Sequence, residues 1–460
     1  MQRGIIHKNY RSDNGSIASS TENTDGTTDR VRVFARVRPL SAAEKSRGCK
    51  CILEPVSANG ILVWDPTYLE ASKRPDLSYI DPKCWSRSFS YDCCLWSNDL
   101  NDSRNLATQD RIFDTVGAPI VNWAIEGHNS CVFAYGQTGA GKSYTMMGDM
   151  KRDAKDYGLI PRICFSLFDA LEQLHHPGTS LTTDNNSNND SSSTENDYQV
   201  EFSHMEIYNE TVRDLLCPST NSSLRVREHP SMGVYVANLT SEIVTSFEEV
   251  IQLIMIGDSE RTVAATNMNS HSSRSHAIVT LTIKQFISTS STTSKTPKST
   301  VTPSLKSSTI QQQRQQKTSR IHLVDLAGSE RATLSGATGN RLRETNNINR
   351  SLSVLGDVIK CLGEAATSNS KRSQQQTSVH IPYRNSLLTM VLKDSLGRHD
   401  RGGGPMSWHR ELGNRMVLNI LSVLFPQRLS SSDPICELSS FSILFPIRVC
   451  RSRQEGTPTL

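Results

Sequence analysis

The 460-residue chain lacks much of what marks several protein classes. Aromatic residues make up 6% and hydrophobic residues 36%. That is a lean core for this length, so a globular centre carrying sizeable disordered segments is expected. No apolar run reaches membrane-spanning length: the longest, Met416 to Phe425, is about half of what a bilayer needs, so no transmembrane segment is expected. The first 30 residues are polar and show no apolar h-region of a signal peptide. Neither sign of charge dominates. Fifty basic against 46 acidic residues leave a formal charge of +4, too balanced to argue for nucleic acid. An acidic partner would have to meet a local basic face. Eleven cysteines are scattered without metal-ligand spacing; Cys49 and Cys51 are one residue apart and Cys93 and Cys94 are adjacent, unlike a paired CxxC zinc site. Their odd number, with no export signal, reads as reduced intracellular thiols. There is no internal repeat and no heptad pattern, so the chain offers no coiled-coil dimer of its own.

The length suits one large domain with insertions, or two to three ordinary ones. Residues 1–29 are rich in Ser, Thr, Asn and Asp and are expected to be disordered. Val31 to Val37 alternates and is β-branched, with Pro39 behind it, which reads as a strand and its stop. Gln109 to Ile125 has the apolar spacing of an amphipathic helix, interrupted by Pro119. Cys131 to Tyr135 is a short apolar run before glycine, hence a buried strand. Tyr198–Tyr208 and His276–Ile287 alternate, Arg320–Leu326 is another apolar strand, and Asn346–Leu362 has helical spacing. Strands mixed with helices in this order predict an α/β layered fold. Two stretches, 179–197 and 288–319, are dominated by Ser, Thr, Asn and Gln without a hydrophobic period. Both read as disordered surface insertions.

Three motifs carry chemistry. Gly136-Gln137-Thr138-Gly139-Ala140-Gly141-Lys142-Ser143 fits G-x-x-x-x-G-K-[ST] directly after a predicted strand, the context a P-loop requires. Its glycines let backbone N–H groups close around phosphates, Lys142 would neutralise the β and γ phosphates, and Ser143 would hold Mg²⁺. Asp325-Leu326-Ala327-Gly328 follows the strand Arg320–Val324. An Asp there can reach Mg²⁺ through water and a Gly three residues on can present its N–H to the γ phosphate, although D-x-x-G alone is as often a plain strand-end turn. Asn267 to His276 is dense in hydroxyls and contains Ser273 and Arg274; alone it reads sooner as a polar loop with a helix cap than as a site. His271 and His276 without acidic or Cys neighbours make a poor metal set.

Taken together, the P-loop, N-x-N-x-x-S-S-R-S-H and L-V-D-L-A-G-S-E resemble the signatures of kinesin motor domains, over about residues 30–397. Arg36-Val37-Arg38-Pro39, Met205 to Glu210, Val212 to Leu216, Asn347 to Leu352 and His380 to Arg384 extend the likeness. Tyr91-Asp92 to Trp96-Ser97, Tyr144 to Gly148 and Arg225 to Pro230 are most similar to the third kinesin class, transporters of vesicles and organelles. The resemblance implies a P-loop NTPase fold with a central, twisted, mostly parallel sheet flanked by helices on both faces. It implies an ATP hydrolase with Mg²⁺, stimulated by microtubules and moving along them in the cytoplasm. Cargo would be bound through regions this chain does not carry. By the same resemblance Arg36, Arg38, Pro39 and Tyr144 lie on the adenine side, and Gly136 to Ser143 hold the phosphates. Ser143, Ser273 and Asp325 serve the metal, Gly328 senses the γ phosphate, and Arg274 pairs with Glu330 to close the site. Tubulin contact falls on Arg331–Arg343, the helix from Asn346, Lys371-Arg372 through Arg384, and Arg227 with His229.

The likeness changes after Ser395-Leu396-Gly397. Arg398 to Trp408 is Gly-rich and departs from the family, Gly413-Asn414 to Leu424 could supply the last core strand, and Cys436 to Arg448 contains the helix-breaking Pro446. No neck linker is recognisable. A non-motile protein that binds microtubules in a nucleotide-dependent way is therefore the alternative to a motor.

Overall fold

The computed structural model describes residues 31–64, 86–98, 106–175, 198–217, 223–230, 233–266, 273–288, 314–329, 340–368, 380–396, 414–421 and 424–425. The chain opens with β1 (Arg32–Val37) and a short helix α1 (Ala42–Ser46). The strands β2 (Lys50–Cys51), β3 (Leu53–Ser57), β4 (Gly60–Trp64), β5 (Ser86–Ser90) and β6 (Cys93–Trp96) follow. Next come α2 (Gln109–Ile112), α3 (Ala118–Ile125), β7 (Ser130–Tyr135), α4 (Lys142–Met146) and α5 (Leu159–His175). The middle of the chain supplies β8 (Tyr198–Tyr208), β9 (Thr211–Asp214), β10 (Val226–His229), β11 (Gly233–Val236), β12 (Glu242–Val244), α6 (Phe247–Thr266), β13 (His276–Ser288) and β14 (Arg314–Asp325). The last described elements are α7 (Asn340–Ser368), α8 (Leu387–Val391), α9 (Lys393–Leu396), β15 (Asn414–Leu421) and β16 (Leu424–Phe425).

One mixed sheet organises them, in the order β12-β8-β13-β14-β7-β15-β1-β6, with β9 on β8. From β14 through β7, β15 and β1 to β6 every pairing is parallel. β13 runs against both β14 and β8, so β8 points the same way as the parallel set. β12 and β9 run against β8. Side-chain alternation divides the core between two faces. Val132 and Ala134 of β7 share one face with Phe34, Phe202, Leu281 and Leu323. That face is covered by Ile120 of α3, Ile163 and Leu167 of α5, and Val250 and Ile254 of α6. Cys131 and Phe133 share the other face with Val33, Met205, Ile278 and Val324, under Leu352, Leu355 and Val358 of α7 and Leu388 of α8. A strand buried on both faces needs apolar residues at every position, which is why β7 reads as a continuous apolar run. No helix among the described residues is long and apolar enough to cross a membrane.

Three sequence expectations change in detail. Pro119 does not end the helix expected over 109–125: a π-helical turn, Phe113–Gly117, resets the register and leaves Pro119 at the start of α3, where a missing N–H costs nothing. The insertion expected over 288–319 is shorter at both ends. Ser288 belongs to β13, and Arg314 to Ser319 belong to β14, pairing across to Ser288–Ile283. A long hairpin thus continues into a polar sequence because the backbone ladder, not hydrophobic periodicity, holds it. The helix expected from Asn346 begins at Asn340. β15 has its backbone between β7 and β1. The segments 1–29, 179–197, 398–413 and 426–460 lie outside the described residues.

Candidate functional site

β7 ends at Tyr135 and the chain turns through three glycines with positive φ: Gly136 (152°), Gly139 (79°) and Gly141 (98°). Residues with a Cβ rarely adopt such values. Gly141 is the N-cap of α4, so Lys142 and Ser143 open that helix. Lys142 is buried, and its ammonium donates to the carbonyls of Gly136 (2.9 Å) and Gln137 (3.0 Å). The Ser143 hydroxyl donates to Oδ2 of Asp325 at 2.6 Å. That joins the two motifs across 182 residues of sequence. Asp325 is the last residue of β14, beside Ala134 of β7, so the parallel pairing itself brings P-loop and carboxylate together.

The third motif arrives from β13. Ser273, Arg274 and Ser275 form the turn that precedes it. Gly328 N–H donates to the Ser273 carbonyl (2.8 Å) and Ser329 N–H to the Gly136 carbonyl (3.2 Å), so all three loops meet. Glu330 and residues 267–272 lie outside the described residues. Behind the loops sits Arg261 of α6, which the sequence did not mark. Its Nη1 is 3.7 Å from Asp325 Oδ2 and its Nε 3.7 Å from Oε1 of buried Glu206, while Nη2 donates to the Ser275 carbonyl at 3.2 Å. Its guanidinium thus stands between two buried acidic side chains and the turn before β13.

The arginines of β1 and its end take different places. Arg36 is 4% exposed and donates from Nη1 to Thr145 (2.6 Å) and Gln109 (3.2 Å), with its guanidinium 5.5 Å from the ring centroid of Tyr144. Burial pushes its pKa down to about 10, which leaves it charged at neutral pH. Arg36 therefore lies behind Tyr144, and the 45% exposed tyrosine is the member of the pair that faces solvent. Arg38 donates from Nε to the Gly139 carbonyl (2.8 Å) and from Nη1 to the Pro39 carbonyl (2.8 Å), and grips Glu44 with both Nη atoms at 2.8 and 2.7 Å. Glu44 also closes a capping box with Ser41 on α1. The Arg38 hydrogen bonds and the Ser41 cap hold its carboxyl down at about 2. The P-loop is thereby tied through Arg38 to a capped helix end.

His276 was set aside as a metal ligand, and the geometry gives it other work. The backbone N–H of Ala327 donates to its Nδ1 (3.1 Å), and its Nε2 lies 2.8 Å from Oγ of Ser351 in α7. Ser351 stands inside the Asn347–Leu352 motif, so the residue was visible but its partner was not.

The family model for the kinesin motor domain matches residues 36–402. The chain belongs to the kinesin motor-domain family. Its relatives include the human Kinesin-like protein KIF1B, 40% identical over 371 residues, covering 81% of this chain and 18% of the relative. Rattus norvegicus KIF1A is 40% identical, covering 81% of this chain and 19% of its own. Human KIF13B is 39% identical, over 81% and 18%. The chain thus spans less than a fifth of the length of these curated relatives. Among solved structures, a KIF14 dimer described as two-heads-bound, with AMP-PNP and in complex with a microtubule, superposes with a TM-score of 0.61. It is 33% identical over 85% of this chain and 88% of that one. A fast kinesin gives 0.61 at 32% identity over 86% of each. The kinesin match ends before β15, although that strand lies in the middle of the sheet.

Proposed function

We propose that this chain is a microtubule-stimulated ATPase that couples ATP hydrolysis to movement along microtubules. The observation that carries the reading is the meeting of three loops at one point. Ser143 Oγ lies 2.6 Å from Asp325, Gly328 N–H donates to the Ser273 carbonyl, and Ser329 N–H donates to that of Gly136. Gly136 to Ser143 surround the phosphates and Lys142 balances their charge. Pro39 and Tyr144 flank the adenine, with Arg36 and Arg38 supporting them from below. Gly328 answers to the γ phosphate, and Arg274 with Glu330 closes the two loops over it.

The donor set fits a magnesium ion. A serine hydroxyl and a strand-end carboxylate converge, and Oδ1 of Asp325 is buried without a hydrogen-bond partner, which leaves lone pairs for a metal-held water. Ser143, Ser273 and Asp325 would hold the ion, and it would supply charge neutralisation at the transferring phosphoryl group. The residues of this chain then have to position and stabilise charge rather than form a bond.

The tubulin-facing surface of this reading is the side built by α7, α8 and the β10–β11 hairpin; the expected contacts at 331–339 and at Lys371-Arg372 lie outside the described residues. Glu228 of β10 accepts from Arg384 (3.1 Å) and pairs with Lys393, and Asp394 of α9 accepts from Val234 N–H (2.8 Å). These contacts tie the hairpin to the turn at Arg384 and to α9, and Arg227, His229 and Arg384 would steer an acidic partner in a salt-dependent manner. The reading places the protein in the cytoplasm on the microtubule cytoskeleton, with vesicle cargo as in the third kinesin class. Residues 30–397 together with β15 make one motor domain. A surface-gliding assay tests the motor claim: the chain, fixed to glass, is expected to move microtubules only when ATP is present. Nucleotide-sensitive attachment without gliding would favour the non-motile alternative.

A further inference from the structure

The hydrogen bonds at His276 have only one consistent direction. Ala327 N–H donates to Nδ1, so Nδ1 carries no proton. Ser351 spends its single hydroxyl proton on the Ile348 carbonyl at 2.7 Å, so its oxygen accepts from Nε2–H. The imidazole is therefore neutral and fixed in one tautomer. His276 and Ser351 are each 2% exposed, so water cannot replace a bond that breaks. One residue beyond Ala327, Gly328 N–H is tied to Ser273, three residues before His276. The loop after β14 is thus fastened twice to the start of β13, and His276 carries that fastening across to α7.

We propose that His276 and Ser351 are positioning residues that couple the loop at Ala327–Gly328 to α7, so that a nucleotide-driven shift of the loop must move the helix or break the bridge. It rests on the reading above, that nucleotide acts on this loop. Coupling of two sites needs a physical link that both bias, and here that link is three directed hydrogen bonds.

Hydrogen exchange of the full chain, with and without saturating AMP-PNP and Mg²⁺, tests it. In the wild type, nucleotide is expected to protect the P-loop amides and to change exchange across Ile348–Val358. Ser351→Ala should keep the P-loop protection while the α7 response shrinks about fivefold or more. Ser351→Thr, which retains the hydroxyl, should behave as wild type. His276→Asn breaks the same bond from the other end, since its amide oxygen can still accept from Ala327. It should lose the same response, and the double variant should be no worse than either single one. A full α7 response in folded Ser351→Ala and His276→Asn would overturn the proposal. So would loss of P-loop protection together with the α7 response, which would mark the bridge as merely structural. Absence of any nucleotide protection in the wild type would instead overturn the nucleotide reading, and the proposal with it.

Discussion

Arg36 carries its charge into the interior, where its guanidinium is shared among Ser97, Gln109, Thr145 and the ring of Tyr144. Removing it leaves those buried polar groups without their donor. Arg36→Ala is expected to cost about 3 kcal/mol of stability, read as a lower urea midpoint. Arg36→Lys should recover little of this, because a single ammonium cannot reproduce the planar fork. Ser143→Ala removes the hydroxyl that meets Asp325 while leaving the glycines and Lys142 in place. Its turnover should fall on the order of a hundredfold, and a Mg²⁺ titration should show half-saturation moving to higher concentration. Unchanged magnesium dependence would remove Ser143 from the metal site. The residues proposed for the phosphate site stand in local motifs whose spacing is set by the backbone around them. Arg261 was not legible in the sequence, and although Glu206, Gln109 and Ser351 lie in stretches the sequence marked, their pairings were hidden, since the partners come from distant elements and no local pattern announces them.

At the scale of elements, turns and pairings decide what propensity leaves open. Gly148 follows α4 at φ 78°, and a Cβ there would meet the Asp156 carbonyl oxygen at 2.1 Å and Gly158 N at 2.3 Å. Both neighbours are backbone, held by Asp149 N–H to Asp156 O and Gly158 N–H to Met147 O, so neither can yield cheaply. Gly148→Ala should cost more than about 2 kcal/mol, with thermal unfolding as the readout; a change below about 0.5 kcal/mol would mean that the loop repacks freely. Of the central sheet, β1, β7, β8, β13, β14 and β15 were recognisable from alternation or from short apolar runs, whereas the short strands β6, β9 and β12 were not. Their ends were not: β14 begins six residues earlier than its apolar stretch because it is the partner of β13, and the helix around Pro119 survives because a π-helical turn precedes it. Such boundaries depend on what packs against a segment, which the segment does not encode alone.

At the scale of the whole molecule, three histidines among the described residues, His204, His276 and His322, are buried and neutral. Burial, with the positive charges of Arg261, Lys142 and Arg320 nearby, pushes His204, His276 and His322 down to about 3. In the unfolded chain each takes up a proton near pH 6.5. Between those values the unfolded state binds more protons, so their contribution to stability is complete above pH 6.5 and is lost as pH falls below it. Each should cost up to about 1.4 kcal/mol per pH unit in that window. Melting temperature is thus expected to drop clearly between pH 7 and 5.5, and a flat profile would contradict the buried neutral state.

The two-faced sheet places the nucleotide loops at the ends of β7 and β14 and lays α7 across the face beneath them. This is the arrangement needed for one site to drive the other. The measurement that tests this most directly is ATP turnover of the chain with and without polymerised tubulin, with Lys142→Ala as control. The account predicts strong stimulation by the polymer that disappears in the variant. A folded wild type whose turnover ignores the polymer, or a Lys142→Ala chain that is stimulated as well as the wild type, would contradict it.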